Sequence, residues 1–446
     1  MVVQGNLSGT STPEFRRKKD GQSMEVEFRY PQIPSFHIPD QNLIGIYEPH
    51  AFPSQKDEKD IIGESLAYPI ASPKIGEIAR GKKRVLILVD DYTRTTPGDK
   101  ILPFIVDELG AAGIKDKDIS LLVAQGTHRG MTHEEKEDKV GSDILSRFAF
   151  LDHKWEEEKA LGFLGTTPLG TEIWINKTVL EADLVIGLGH IVPHRIAGFS
   201  GGGKIIQPGV CGEKTTGQTH WLGAFYDGRK ILGQAENPVR EEIDTIAGKA
   251  GLSLIVNAIQ DARGRIVGLV CGDPVRAHRE GCRIARQVYG VPVPRAADIV
   301  IADSYPADVD LWQGAKAIFA AEMAVKDGGV IILVSPCPEG VAAHHPEVTR
   351  CRCLPCDDLE PLVKGGKLED LTGAAFLAYL GNIMGRRVRC ILVTPGIEGE
   401  VAEKMGFLVA ETPQEALDMA LELTCREAKV TVLRHGGEIL PLMDTG

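Results

Sequence analysis

Arg84-Val-Leu-Ile-Leu-Val-Asp90-Asp91-Tyr92-Thr93-Arg94-Thr95-Thr96-Pro97 is an apolar run of strand length that ends abruptly in charge and turn residues. A strand that is apolar at every position is buried on both faces, which is the signature of a parallel sheet covered by helices. The grammar recurs twice. Ile119 to Ala124 runs into Gly126-Thr127-His128-Arg129 and a charged helix opening near Thr132, and Asp183 to Leu188 runs into Gly189-His190 and a long loop to Gly209. A helix is expected from about Lys100 to Ala112, between the first two strands. In such a sheet the loops after the strands gather at the carboxyl edge, where open α/β sheets bind ligands. Asp91, Arg94, His128, His190 and His194 are therefore expected at one place.

A second α/β unit is expected after the turn-rich Val291-Pro-Val-Pro294. It has strands at 298–302, 330–334, 388–393 and 429–433 and helices at 311–325 and 413–424. The boundary falls near residue 290. Residues 1–23, rich in Gly, Ser, Thr and basic side chains, read as a leader or an added extension outside the fold. The fold class is thus α/β with two domains, the first, 24–290, built on a largely parallel sheet and the second spanning 291–446, with a site in the cleft between them.

Composition narrows the function classes. The 446 residues carry 50 Lys and Arg against 62 Asp and Glu, a net charge of −12, so no global positive field exists to gather nucleic acid or anionic lipid. Hydrophobic residues make up 43% of the chain and mean hydropathy is −0.07, as in a globular protein. The apolar runs are far shorter than a membrane span of about 20 residues. Nine scattered cysteines fit a reducing cytoplasm better than a disulfide framework.

The densest chemistry lies in Gly189-His-Ile-Val-Pro-His194-Arg-Ile-Ala-Gly198-Phe-Ser-Gly201-Gly202-Gly203-Lys204. Glycines there let backbone N–H groups approach an anion. Gly198 to Lys204 satisfies the first seven positions of a phosphate-binding P-loop, but Ile205 stands where a Ser or Thr hydroxyl would hold magnesium. Lys204 reads equally as a solvated loop lysine or as a nucleophilic amine. His220 is either a lone metal ligand completed by a cofactor or an ordinary packed histidine. Gln313 and Lys316 share a helix face and suit a carboxylate, or merely solvent. His344, His345, Cys351, Cys353 and Cys356 contain enough donors for zinc, in a spacing that is not a common zinc pattern.

Taken together, Asp90-Asp91-Tyr-Thr-Arg94-x-Thr-Pro97, Gly126-Thr-His128-Arg129, Pro193-His194-Arg-x-Ala-Gly-Phe-Ser-Gly-Gly-x-Lys204, His220 and Gln313-x-x-Lys316 resemble, in order and spacing, the nickel-dependent lactate racemase family. The resemblance implies an isomerase that racemises or epimerises a small 2-hydroxy acid, lactate first, by proton-coupled hydride transfer. The implied cofactor is a nickel pincer nucleotide, a pyridinium-3-thioamide-5-thiocarboxylic acid mononucleotide, supplied by cofactor-making enzymes that bind transiently. Lys204 would be its attachment point, Asp91 and Gly201, Gly202 and Gly203 its further contacts, and His220 its nickel ligand. His128 and His194 would be the acid–base pair, and Arg94, Gln313, Lys316 and Trp312 the substrate contacts. The first domain would hold the cofactor and the second would contribute substrate contacts. A non-catalytic nucleotide or hydroxy-acid sensor and a P-loop-like phosphotransfer enzyme are the rival readings.

Overall fold

The computed structural model describes residues 16–17, 22–49, 51–52 and 56–443. Two six-stranded sheets dominate it. The first runs in the order Ile266–Gly272, Leu254–Gln260, Leu184–His190, Val85–Asp90, Ile119–Ala124, Ala149–Leu151. All its pairings are parallel except the outermost one between Ile266–Gly272 and Leu254–Gln260. Five consecutive residues of Val85–Asp90 are buried, as expected for a strand covered on both faces. The helices Gly98–Ala111 and Arg276–Tyr289 help to cover it. Leu88, with no exposed surface, is representative: truncation to Ala would cost about 2–5 kcal/mol.

Chain order reverses at Val85–Asp90, with the next strand, Ile119–Ala124, on one side and the later Leu184–His190 on the other. The loops leaving these strands diverge and open a crevice at the carboxyl edge, the topological switch point of the sheet. The third strand extends two residues beyond the expected end and includes His190, so that histidine is fixed in the sheet rather than in a loop.

The second sheet runs Leu408–Val409, Arg389–Val393, Val325–Val334, Ala297–Asp303, Val430–Leu433, Leu43–Tyr47, all parallel. Its outermost strand corrects the expected domain limits. Leu43–Tyr47, assigned by sequence to the first domain, pairs with Val430–Leu433, and Val26, Phe28, Tyr30, Phe36 and Ile38 join the core of the second sheet. The stretch before about residue 49 therefore belongs with residues from 297 onward, and the first sheet is inserted between them. The expected turn Val291–Pro294 also differs: Gly290–Val293 is a strand paired in parallel with Leu440–Met443. Of the expected leader, residues 1–15 and 18–21 lie outside the described residues, whereas Arg16–Arg17 pairs with Met24–Glu25.

The two halves meet most closely where the helix Glu213–Ala224 lies against the helix Leu371–Met384. Gly217 makes this approach possible, because a Cβ there would sit 2.7 Å from that of Leu371. The seam is also hydrogen-bonded. Tyr379 Oη donates to the His220 carbonyl, and Asn382 Nδ2 donates to that of Ala224 at 3.0 Å.

Candidate active site

The loop after Val85–Asp90 is shaped by its own carboxylates. Asp90 is gripped by Lys139 Nζ at 3.1 Å and by the Thr96 hydroxyl, which also reaches His190 Nδ1 at 2.9 Å. Burial would push this carboxyl up, but Lys139, His190 and Thr96 outweigh it and hold Asp90 well below the usual carboxylate range. Lys139 also donates to the Arg94 carbonyl at 2.6 Å, and Arg94 lines the crevice. Asp91 turns the other way, accepting from the Thr93 amide and hydroxyl and, at 2.6 Å, from His128 Nδ1.

That last contact sets the chemistry of His128. Burial alone would raise the Asp91 carboxyl, but His128, then Arg94 and Thr93, bring it below its ordinary value, so it is an anion. An anion beside Nδ1 demands the proton there and leaves Nε2 of the neutral ring with a lone pair. Gln313 Nε2 donates toward that lone pair at 3.3 Å, and Gln313 Oε1 accepts from Arg94 Nη1 at 3.3 Å. His128 is wired as a proton acceptor. The resemblance implies Asp91 as a cofactor contact; the structure shows it hydrogen-bonded to the histidine.

His194 is arranged in the opposite sense. Its Nδ1 accepts the amides of Ile196 at 3.2 Å and Ala197 at 3.4 Å, so the neutral ring carries its proton on Nε2. Burial, then the charges of Lys204, Lys316 and Arg94, push this imidazole well below its ordinary value. The two histidines therefore face one cleft in complementary states, one accepting and one donating.

Lys204 follows a glycine turn clamped from behind. Buried Arg240 donates to the carbonyls of Ala197 at 3.3 Å, Gly201 at 3.1 Å and Phe199, while His278 Nε2 donates to that of Ser200 at 2.9 Å. Gly201 and Gly202 have φ of 73° and 60°, and a Cβ on Gly202 would lie 2.8 Å from the His278 ring. Gly201 lines the cleft, while Gly202 packs under His278 and Gly203 against Ala247, close approaches that shape the turn. The P-loop reading also fails: Gly202–Ile205 is a four-residue 3-10 turn after a short antiparallel pair, not a long helix after a parallel strand.

The turn delivers Lys204, half-buried, into the cleft with no carboxylate paired to it among the described residues. Burial, then Arg240, Arg94 and Lys316, push its amine well below the usual lysine range, which favours the neutral, nucleophilic form. His220, on the helix Glu213–Ala224, donates Nδ1–H to the Thr216 carbonyl at 2.8 Å and so keeps an Nε2 lone pair. Burial, then Lys204, push its pKa down to about 3, which keeps it in the neutral form that a metal requires.

Helix Leu311–Ala324 closes the cleft from the second domain. Asp310 caps it by accepting the Gln313 amide at 2.8 Å, and Trp312, Gln313 and Lys316 line the cleft together with Phe376. Lys316 falls to about 7, through burial first and then Arg94. The cleft encloses about 1110 Å³ of empty space, its mouth included.

The cysteine–histidine cluster does not form. Among the described residues no three metal-ligating side chains converge, Cys353 and Cys356 are buried with their thiols pushed up by burial, and His345 is bonded elsewhere. A metal at His220 would have to bring its remaining ligands on a cofactor. The cleft suits a polar guest, since Gln125 Oε1 and Thr216 Oγ1 are buried in it without a partner.

Residues 32–232 match the family model of the lactate racemase N-terminal domain, and residues 293–440 that of the lactate racemase C-terminal domain. The chain belongs to the lactate racemase family. This family membership makes it an isomerase. It is 31% identical over 416 residues to the lactate racemase of Thermoanaerobacterium thermosaccharolyticum, covering 91% of this chain and 96% of that one. It is also 31% identical over 409 residues to the lactate racemase of Lactiplantibacillus plantarum, covering 90% and 95%. The solved lactate racemase apoprotein from T. thermosaccharolyticum superimposes with a TM-score of 0.83 at 30% identity, over 94% of this chain and all of that one. A Thermotoga maritima protein, 20% identical, shares the fold with a TM-score of 0.70.

Proposed function

We propose that this racemase-family chain interconverts the enantiomers of lactate, using a nickel pincer nucleotide attached to Lys204 and ligated through His220. The observation that supports the reading is the single cleft in which His128, His194, Lys204 and His220 meet the cationic side chains of Arg94 and Lys316 and the amide of Gln313. The residues fit the cofactor. An amine pushed toward its neutral form, with no carboxylate paired to it among the described residues, suits covalent attachment, one imidazole lone pair suits a metal whose other ligands lie on the cofactor, and the unpaired Gln125 Oε1 and Thr216 Oγ1 suit a nucleotide. When bound, the group supplies the hydride acceptor that the C2–H bond of a 2-hydroxy acid needs.

The chain's own residues do the rest. Arg94 and Lys316 neutralise the substrate carboxylate, Arg94 being able to hold it bidentately, and Gln313 spans Arg94 and His128. His128 Nε2 takes the hydroxyl proton as Asp91 steadies the positive ring. His194 presents an N–H toward the substrate from the loop before Lys204, serving the oxygen when it faces that side. Trp312 and Phe376 exclude water and favour a short side chain. The natural partners are a small 2-hydroxy acid and, transiently, the enzymes that make the cofactor, in a reducing cytoplasm.

The test is C2-deuterated D-lactate given to protein coexpressed with cofactor-making enzymes, with intact mass and nickel content measured on the same sample. The expected product is L-lactate that retains most of its deuterium without added NAD. Complete washout of the label at early times would overturn the hydride assignment, and bound nickel without turnover would favour a sensor.

A further inference from the structure

His345 is buried at the seam between the domains, far from the zinc-like role its sequence neighbours suggested. Its Nδ1 donates to Asp370 Oδ2 at 2.7 Å, and its Nε2 accepts from the Thr127 hydroxyl at 3.2 Å. Its ring stacks on Trp312, centroids 4.6 Å apart and planes 15° apart, and Trp312 stacks in turn on Phe376 at 4.5 Å and 18°.

The order Asp370, His345, Thr127 is that of a hydroxyl activated by a base. The amides flanking Thr127 argue against a nucleophile: Gly126 N donates to Gly209 O at 2.9 Å and His128 N to Gln125 O at 3.0 Å. With both committed, the flanking amides cannot serve as a donor pair for an oxyanion.

Its connections point to a different role. Thr127 precedes His128 on the loop between Ala124 and the helix His133–Val140, so its bond to His345 ties that loop to the second domain. Asp370 is itself fixed, accepting the Gly373 amide at 2.9 Å as the cap of helix Leu371–Met384, which carries Phe376 and Tyr379. Two residues past Thr127, Arg129 makes a parallel tie to Glu339 at 2.8 Å.

We propose that His345 is a positioning residue that fastens the His128 loop to the second domain and holds Trp312 flat as a wall of the substrate pocket. The proposal rests on the reading of His128 and Trp312 as parts of a 2-hydroxy acid site. It separates three contributions: a hydrogen bond across the seam, an anchor to Asp370, and a stacking surface.

Variants of the full chain pull these apart. H345F keeps the stack but removes both hydrogen bonds, H345Q keeps a hydrogen-bonding group but removes the ring, and T127V removes only the hydroxyl from the facing domain. The first readout is hydrogen exchange at residues 125–130 in the cofactor-free protein. H345F and T127V are each expected to speed it about ten-fold, the loss of one buried hydrogen bond, and the double variant to be no faster than either. The second readout is Trp312 emission, taken as the difference from W312F, which should change in H345Q and stay close to wild type in H345F. In loaded enzyme, KM for lactate should rise about ten-fold in H345F, with a smaller fall in kcat.

Exchange within about two-fold of wild type in both H345F and T127V, or additive effects in the double variant, would overturn the proposal. So would a collapse of kcat with KM and exchange unchanged, which would place His345 at the reacting atoms. If H345F does not fold, T127V asks the same question from the other domain. If wild type fails to racemise lactate, the exchange and emission readouts still decide the role of His345, and only the substrate reading falls.

Discussion

Replacing Asp91 with Asn keeps the shape of the site and changes one proton. In the native cleft the carboxylate lies 2.6 Å from His128 Nδ1 and only 3% of the residue is exposed, so the Nδ1–H tautomer is held by a desolvated charge. An asparagine amide offers its own N–H to Nδ1, which favours the tautomer protonated on Nε2, the position that has to accept the substrate proton. It also removes the anion that steadies the protonated ring. Loss of a positioned acid–base group costs on the order of 10²- to 10⁴-fold, about 2.7 to 5.4 kcal/mol of barrier. D91N is therefore expected to lower kcat by that factor, with KM for lactate nearly unchanged because Arg94 and Lys316 are untouched. Chiral chromatography of product from D-lactate gives the rate, and long-range proton–nitrogen NMR on the cofactor-free protein gives the tautomer. A D91N protein within about three-fold of wild-type kcat, its His128 still protonated on Nδ1, would refute the reasoning.

Lys204→Ala should yield a folded protein lacking the cofactor's added mass, read by intact mass spectrometry beside wild type. Lys139→Met strands the buried Asp90 carboxylate and should cost about 3–5 kcal/mol in urea unfolding at neutral pH. Because the folded value of Asp90 lies below the unfolded one, wild type keeps this stabilisation above about pH 4 and loses it as pH falls through the folded value. KM for lactate should rise as pH climbs through about 7, where burial and Arg94 make Lys316 give up its proton, and the rise should vanish in Lys316→Met.

What could be read from sequence was whatever depends on neighbours along the chain. Val85–Asp90 and Ile119–Ala124 declare themselves because a sheet covered on both sides needs uninterrupted apolar runs, and their polar loops mark the ligand edge. Leu43–Tyr47 could not be placed, since its pairing with Val430–Leu433 depends on a partner that local periodicity does not reveal. The strands Leu254–Gln260 and Ile266–Gly272 are harder to see, because Asn257 interrupts the apolar run of the first and Gly268 that of the second. Within the site, residue types gave candidate groups but not their wiring. Nothing in the spacing says that Asp91 reaches His128 across 37 positions, that backbone amides fix the His194 tautomer, or that His345 turns to Asp370 and away from the cysteines.

The strand at Leu43–Tyr47 also has a history in time. It leaves the ribosome early, but its sheet partner, Val430–Leu433, is made about 380 residues later, a delay of about 20–80 s at 5–20 residues per second. Throughout that interval Phe28, Tyr30, Phe36 and Ile38 have no completed core to enter. The inserted sheet, from Val85 to Gly272, can meanwhile assemble from segments already synthesised. The nascent chain is thus expected to carry a sticky apolar arm beside the inserted sheet until Val430–Leu433 has been made. Holdase chaperones should engage that arm, and releasing the chain before residue 430 should leave the arm protease-sensitive while the inserted sheet resists.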